Sequence, residues 1–171
     1  LISTVKCSAT TSKYVAQAIN QSLLKDFPNI DGVVPLVHKG GCAMQYGGED
    51  HQQLARTLAG FARHPNIAAY LVLGLGCETG QASFLVDNYH LVQLNDGRPR
   101  VASPQPLVMN IQEQGGVRKT VDRAIGVLKD MLPEVNKVRR VPIPVAEIIL
   151  GTECGGSDGN SGVTANPALG I

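Results

Sequence analysis

Short apolar runs alternate with amphipathic segments along this chain, and the alternation is typical of an α/β domain. Apolar positions at helical spacing predict helices over residues 14–27, 49–63, 81–86 and 117–131. The apolar runs predict strands over residues 1–5, 32–37, 68–73, 91–94, 106–111 and 145–150. This order of elements predicts a mostly parallel, Rossmann-like sheet with helices on both faces, in three layers.

The loops that follow the predicted strands carry the thiols and many of the glycines of the chain. Parallel sheets of this kind bind ligands beyond the carboxyl ends of their strands. The residues at those ends are 7–10, 38–42, 74–80, 112–116 and 153–162. The turns at the opposite edge are comparatively plain, so the sequence places a candidate active site at the carboxyl edge.

Composition narrows the class of protein. The chain has 171 residues, 43% of them apolar and 17% charged, and its net charge is +1. It has no basic stripe interleaved with aromatic residues, so nucleic acid is a poor candidate partner. No apolar run approaches the roughly 20 residues that a membrane span needs. No signal peptide is visible, and four unpaired-looking cysteines indicate a reducing cytoplasm.

Three cysteines are candidate metal ligands: Cys42, Cys77 and Cys154 each lie close to glycine, in loops after apolar runs. Thiolates from three separate loops suit a soft or borderline metal, namely iron, zinc or an iron–sulfur cluster, and leave a coordination position for substrate. The alternative is that each cysteine is a small buried hydrophobic residue. For Cys7, a fourth site residue and simple packing remain equally open.

His38 ends the second predicted strand, four residues before Cys42. It is a candidate metal ligand or a general base near neutral pH, and the alternative is a histidine hydrogen-bonded within its loop. The other histidines, His51, His64 and His90, are interpreted as structural or solvated. Of these, His51 is the least secure because it follows the same glycine-rich turn.

The segment from Gln112 to Gly116 opens a predicted helix and is followed by Arg118 and Lys119. A helix N-terminus presents backbone N–H groups to anions. Cations at this end oppose the helix dipole, which suggests that they serve a ligand rather than the helix. Ordinary surface charge is the competing interpretation.

Four strings together resemble the altronate/galactarate dehydratase family, whose relatives include sulfolactate sulfo-lyase. They are HKGGC at 38–42, GLGCE at 74–78, Gln-x-x-Gly-Gly-x-x-Lys at 112–119, and ECGGSDGNSGVTANPALG at 153–170. The resemblance covers nearly the whole chain. It implies that residues 1–152 are the α/β middle domain of a dehydratase, and that residues 153–171 begin a truncated C-terminal region.

The resemblance implies a hydro-lyase that depends on ferrous iron and converts a sugar acid to a 2-keto-3-deoxy acid. The expected catalytic residues are His38 and Asp158. The expected metal ligands are the three cysteines named above, with an iron–sulfur cluster or another divalent metal as alternatives. The expected substrate-binding residues are Gln112, Gly115, Gly116, Lys119, Ser157, Ser161 and Asn166.

Two other functions stay open at this point. One is a C–S lyase of the sulfolactate sulfo-lyase type, and the other is a non-catalytic assembly or dimerisation module. The partner expected is a small sugar acid, and the full-length parent is expected to be a cytoplasmic homo-oligomer. The isolated fragment is expected to be inactive, since it lacks the flanking regions.

Overall fold

The computed structural model describes residues 1–91, 107–151, 153, 155–156 and 158–171. The chain divides into two compact units, Leu1–Arg139 and Arg140–Ile171. The elements of the first unit are β1 (Ile2–Ser3), α1 (Lys6–Ser22), α2 (Glu49–Ala62), β2 (Leu71–Gly74), α3 (Ala82–Tyr89), β3 (Leu107–Asn110) and α4 (Val117–Val135). A 3-10 turn at Leu24–Asp26 follows α1.

The described strands form one parallel sheet in the order β1-β2-β3. Ile2 pairs with Val72, and Leu71 pairs with Leu107. The central strand β2 is buried along its whole length, as expected of an uninterrupted apolar run covered on both faces. Since parallel strands need crossover connections, helices follow each strand and cover the sheet.

The core lies in two layers, one on each face of the sheet. On one face, Leu71 and Leu73 pack with residues of α1 and α4, such as Ile19 and Ala124. On the other face, Val72 packs with residues of α2 and α3. Successive strand residues point to opposite faces, so one four-residue strand serves both layers. The α/β fold with helices on both faces is confirmed, while the Rossmann-like strand order stays a prediction.

Two of the predicted strands are wrong. Residues 32–37 contribute a single parallel bridge, between Leu36 and Ile2, because β1 offers only two residues for pairing before the chain turns into α1. Residues 145–150 form a 3-10 turn, Val145–Glu147, and their apolar side chains are exposed. An apolar run becomes a strand only where a neighbouring strand pairs with it. The prediction over 91–94 falls, beyond Leu91, outside the described residues.

The first helix begins earlier than predicted. It starts at Lys6, so Cys7 lies in its first turn instead of in a loop. The polar residues Ser8, Thr11 and Ser12 obscure the helical pattern, although all three are buried. Ser8 donates its hydroxyl to the carbonyls of Val5 and Leu73, at 2.9 and 2.8 Å, which satisfies it in the core.

The second unit consists of the turn at Val145–Glu147, a 3-10 turn at Gly159–Gly162 and the short helix α5 (Ala165–Gly170). None of its described residues is buried. Across the described parts of both units, no helix combines the length and the apolar character that crossing a membrane requires.

Candidate active site

Backbone hydrogen bonds join the loops at the carboxyl edge of the sheet. The N–H of Lys6 donates to the carbonyl of Gly40 at 3.0 Å, and the N–H of Gly80 donates to the carbonyl of Gly41 at 3.3 Å. The N–H of Gln112 donates to the carbonyl of Leu75 at 3.0 Å. The start of α1, the loop 38–42, the loop 75–80 and the turn 111–116 therefore form one continuous surface.

Gly41 allows the loop 38–42 to lie directly on the chain between β1 and α1. Its φ is +99°, in the region that favours glycine. A Cβ placed on it would lie 2.4 Å from the Thr4 carbonyl oxygen and 2.7 Å from the Val5 Cα. Because both obstacles are backbone atoms, only glycine fits. This close approach carries the next residue, Cys42, over the start of α1.

Three thiols gather at this edge: Cys7, Cys42 and Cys77, all exposed. Partial desolvation raises the pKa of the Cys42 thiol, and its thiol neighbours and the Glu78 carboxylate raise it further. Of the two neighbouring thiols, Cys7 raises the pKa of Cys42 more than Cys77 does. Two of the three predicted metal ligands are thus neighbours, and Cys7 joins them.

The complete metal site stays a prediction. Cys154, the third predicted ligand, lies outside the described residues. Within the described part of the chain, no three His, Cys, Asp or Glu side chains are arranged so that they could hold a metal ion. The chemistry of the donors nevertheless fits the expected group, because neighbouring cysteine sulfurs are the ligands that iron and zinc accept.

The backbone engages both ring nitrogens of His38. The Gly40 N–H donates to Nδ1 at 3.1 Å, and Nε2 lies 2.8 Å from the carbonyl oxygen of Ser3. A carbonyl only accepts, so Nε2 carries the proton and Nδ1 accepts. In this conformation the half-buried imidazole fastens the loop 38–42 to β1, and its role as a base is untested.

Glu78 belongs to the GLGCE string, but sequence reasoning assigned it no role. It is buried, with 3% of its surface exposed. Its Oε1 accepts from the Thr4 hydroxyl at 2.6 Å and from the Leu75 N–H at 3.1 Å, and its Oε2 accepts from the Gly76 N–H at 2.6 Å. The carboxylate therefore shapes the loop that presents Cys77. The sequence did contain a signal for this role, because Glu78 is an acidic residue in a glycine-rich loop directly after a buried strand.

The two neighbouring glycines leave room for this carboxylate. A Cβ on Gly74 would lie 2.5 Å from Glu78 Oε1, and φ of Gly76 is +119°. Burial raises the pKa of Glu78, but the hydrogen bonds from Thr4 and the loop backbone outweigh that effect. The pKa of Glu78 consequently lies below its ordinary value, and the folded loop favours the ionised carboxylate.

We expect Glu78→Gln to destabilise the chain at neutral pH by about 2 kcal/mol, since a buried charged acceptor is lost. The folded pKa of Glu78 lies below the unfolded value of about 4.3. Its contribution is therefore present above that value and is lost as the pH falls through the folded pKa. Urea denaturation across pH 3–7 should show that the free energy of unfolding of the variant falls less steeply at acid pH than that of the unaltered chain.

Glu113→Gln is the matched control for this experiment. Glu113 is exposed and accepts from the Asn110 side-chain amide at 2.9 Å. Its loss should change the free energy of unfolding by no more than about 0.5 kcal/mol. Equal effects of the two variants would show that the Glu78 network does not stabilise the loop.

The predicted substrate-binding segment at the start of α4 lies beside the Cys77 loop. A Cβ on Gly76 would lie 2.8 Å from the side-chain Oε1 of Gln112. Gly115 and Gly116, with φ of +80° and +109°, turn the chain into the helix. The Lys119 ammonium lies 3.4 Å from where a Cβ on Gly115 would be, so its side chain folds back over the turn. Ligand binding by these four residues stays a prediction.

His51 is structural, as one of the two interpretations held. It is 1% exposed, and its Nδ1 accepts from the Gly47 N–H at 3.0 Å. Its ring packs 4.2 Å from that of Phe84. Within the described residues no hydrogen-bond partner reaches its Nε2, which adjoins a cavity of about 10 Å³ lined in part by Thr4 and Gly80. His51 thus fixes the α2–α3 layer beneath the site.

In the second unit, Asp158 caps the 3-10 turn Gly159–Gly162. Its Oδ1 accepts from the N–H groups of Asn160 and Ser161, at 2.8 and 3.2 Å. Asn166 lies exposed in α5, Ser161 is half-buried, and Ser157 lies outside the described residues. The predicted catalytic and binding roles of these residues are therefore untested.

Two family models match the chain. Residues 1–136 match the second domain of D-galactarate dehydratase/altronate hydrolase. Residues 145–171 match the C-terminal domain described as D-galactarate/altronate dehydratase. Together the models span most of the sequence, including all the loops that meet at the carboxyl edge.

Individual relatives agree with these models. The chain is 33% identical over 145 residues to an altronate dehydratase of Bacillus subtilis, covering 85% of this chain and 26% of that protein. It is 35% identical over 159 residues to an altronate dehydratase of Escherichia coli, covering 91% and 29%. It is 32% identical over 142 residues to a (2R)-sulfolactate sulfo-lyase subunit beta of Chromohalobacter salexigens, covering 83% and 33%. The chain thus spans about a quarter to a third of these relatives. No solved structure matches it significantly.

Proposed function

The chain belongs to the D-galactarate dehydratase/altronate hydrolase family, and we propose that it is part of an enzyme that dehydrates a sugar acid of the altronate or galactarate type to a 2-keto-3-deoxy acid. One observation carries the proposal. The loops with Cys42 and Cys77 and the glycine turn before α4 are hydrogen-bonded neighbours at the carboxyl edge of the sheet. That edge is where parallel α/β sheets bind small molecules.

The reaction needs a base, an anion site and an electrophile. A base removes the proton beside the carboxylate, while the neighbouring hydroxyl leaves. Cys42 and Cys77, with Cys154, would hold ferrous iron, which when bound supplies a Lewis acid for the developing charge. An iron–sulfur cluster or another divalent metal would accept the same sulfur donors. The base and the anion site are provided by residues of the protein itself.

The start of α4 suits the carboxylate of the substrate. Backbone N–H groups at a helix N-terminus favour an anion, and Lys119 places an ammonium over the Gly115–Gly116 turn. Gln112 would donate to a hydroxyl of the sugar chain from the same turn. We propose hydrogen bonds to the other hydroxyls from Ser157, Ser161 and Asn166. These assignments rest on the family strings and on residue chemistry.

Of the two candidate bases, we propose Asp158 ahead of His38. To accept a proton at Nδ1, His38 must first release the Gly40 N–H that this nitrogen binds. In Asp158 a single oxygen, Oδ1, accepts both capping N–H groups. Among the described residues, no hydrogen bond reaches its Oδ2. A carboxylate oxygen that none of the described donors engages needs no such release before it takes a proton.

We therefore expect Asp158→Asn to lower kcat of the full-length enzyme by about 10²–10⁴-fold, the range for a lost general base. Asparagine still accepts the two capping N–H groups, so the melting temperature should not change. His38→Asn should instead lower the melting temperature, because it releases the loop 38–42. If His38→Asn lowers kcat by that factor with unchanged melting, His38 is the base.

The function itself is tested on the full-length protein, purified without oxygen and loaded with ferrous iron. Altronate and galactarate should yield a 2-keto acid, measured as its semicarbazone. The 171-residue chain alone should be inactive. The parent should be a cytoplasmic homo-oligomer, which fractionation and light scattering measure. Inactivity of the loaded parent toward hexonates and hexarates would refute the proposal.

A C–S lyase is the second candidate, because one relative is a sulfolactate sulfo-lyase subunit. Its signature is release of sulfite from (2R)-sulfolactate without any 2-keto-3-deoxy acid from sugar acids. A parent that shows neither activity but still self-associates through this chain would instead support an assembly module.

A further inference from the structure

We propose that Cys7 and Cys42 are an oxidation site, at which a hydroperoxide converts the two thiols into a reversible disulfide. The dehydration proposed above assigns no role to Cys7, and the position of Cys7 in the first turn of α1 is unexpected from the sequence. The inference concerns the chemistry of two side chains, and it holds whether or not the enzyme dehydrates a sugar acid.

The backbone fixes the two cysteine-bearing segments against each other. The N–H of Lys6, one residue before Cys7, donates to the carbonyl of Gly40, two residues before Cys42, at 3.0 Å. Gly41 lies so close to Thr4 and Val5 that even a methyl group would collide with their backbone. His38 fastens the same loop to Ser3. Three independent contacts thus hold the loop on the start of α1.

The side chains continue this contact. Cys7 raises the pKa of the Cys42 thiol, although the two positions lie 35 apart in the sequence. Both cysteines are exposed, so a dissolved oxidant reaches them without unfolding the domain. Cys77 also raises the pKa of Cys42, but less than Cys7 does, so Cys7 is the first candidate partner for a covalent bond.

The chemistry needs one equivalent of hydroperoxide. One thiolate attacks the peroxide, its O–O bond breaks, and a sulfenic acid forms with release of water or alcohol. The second thiol then attacks the sulfenic sulfur, the S–O bond breaks, water leaves, and the S–S bond forms. Two thiols are oxidised by two electrons, which reduce the peroxide. A dithiol reductant reverses the bond by thiol–disulfide exchange.

The disulfide would also affect the site proposed above, and this consequence rests on the proposed function. A Cys42 sulfur bonded to Cys7 has no thiolate to offer a metal. Oxidation would therefore remove one ligand reversibly, and would protect Cys42 from irreversible oxidation to sulfinic acid.

The test uses the full 171-residue chain and one equivalent of hydrogen peroxide. We expect two of the four thiols to disappear, the monomer to lose the mass of two hydrogens, and dithiothreitol to restore both. A non-reducing peptide map should contain one cross-linked pair, Cys7 with Cys42. Because this map uses the unaltered chain, it does not depend on the folding of any variant.

Variants then separate the possible pairings. Cys7→Ser and Cys42→Ser should each abolish the intramolecular cross-link, whereas Cys154→Ser should keep it. A cross-link between Cys42 and Cys77, a disulfide between two chains, or only sulfinic acid at Cys42 would overturn the proposal. None of these outcomes requires turnover, so failure of the dehydratase assignment would leave this test unchanged.

Discussion

Cys77→Ser should abolish turnover and metal retention together in the full-length enzyme. Cys77 lies exposed between Gly76 and the buried Glu78, on a loop whose shape the Glu78 carboxylate fixes. Serine preserves the size and the backbone of this position but replaces a sulfur ligand with a hydroxyl. Since the loss of a residue that only supports a ligand costs about 10–100-fold in affinity or activity, loss of a ligand should exceed about 10²-fold.

The measurement combines anaerobic iron analysis with a rate assay on the same preparation. Cys7→Ser is the matched control: it makes the same chemical change at a neighbouring thiol outside the predicted ligand set. It should keep bound iron and a rate within several-fold of the unaltered enzyme. A Cys77→Ser enzyme that retains iron and turns over normally would remove Cys77 from the site.

Elements of the first unit were predictable where a short stretch of sequence alone determines the structure. The run at Leu71–Gly74 is apolar without interruption because both of its faces are covered, and that alone indicates a central parallel strand. The amphipathic pattern of α4 likewise records its contact with a single layer. Both features follow from local periodicity.

Features that depend on a distant partner were missed. Residues 145–150 have the composition of a strand, but nothing in a local window shows whether another strand pairs with them. Ser8 and Ser12 interrupt the apolar pattern of α1 because they are polar. They can nevertheless be buried, since their hydroxyls form hydrogen bonds within the core. That interruption made the helix start appear later and placed Cys7 in a loop.

The sequence predicted where the candidate site lies better than it predicted what each residue does there. The expectation that loops after parallel strands share one edge placed Cys42 and Cys77 together, and the two thiols are neighbours although residues 32–37 form no strand. The contact of His38 Nε2 with Ser3 and the hydrogen bond of Glu78 with Thr4 depend on residues far away in sequence, in β1 and directly after it. Such contacts leave no periodic signal in the sequence, so only the three-dimensional structure reveals them.

Gly41→Ala should be the most destabilising single-methyl change among the loops of this site. The new Cβ would lie 2.4 Å from the Thr4 carbonyl oxygen and 2.7 Å from the Val5 Cα, and neither obstacle is a flexible side chain. A left-handed φ of +99° adds strain of about 1–2 kcal/mol, and overpacking typically adds about 1–3 kcal/mol. We expect a loss of about 3 kcal/mol in the free energy of unfolding, measured by urea denaturation of the chain.

Gly47→Ala separates backbone strain from collision. Gly47 lies in the same stretch between α1 and α2 and also has a positive φ, +72°, but no other part of the described chain approaches its Cβ position within 4 Å. The free energy of unfolding of the Gly47→Ala variant should fall by only about 1 kcal/mol, the cost of the left-handed conformation. A difference of about 2 kcal/mol between the two variants would therefore measure how tightly the loop 38–42 is held on the start of α1. Equal losses in the free energy of unfolding would mean that the loop can move away from Thr4. The loop would then not hold Cys42 against Cys7, and the cross-link between them should form slowly.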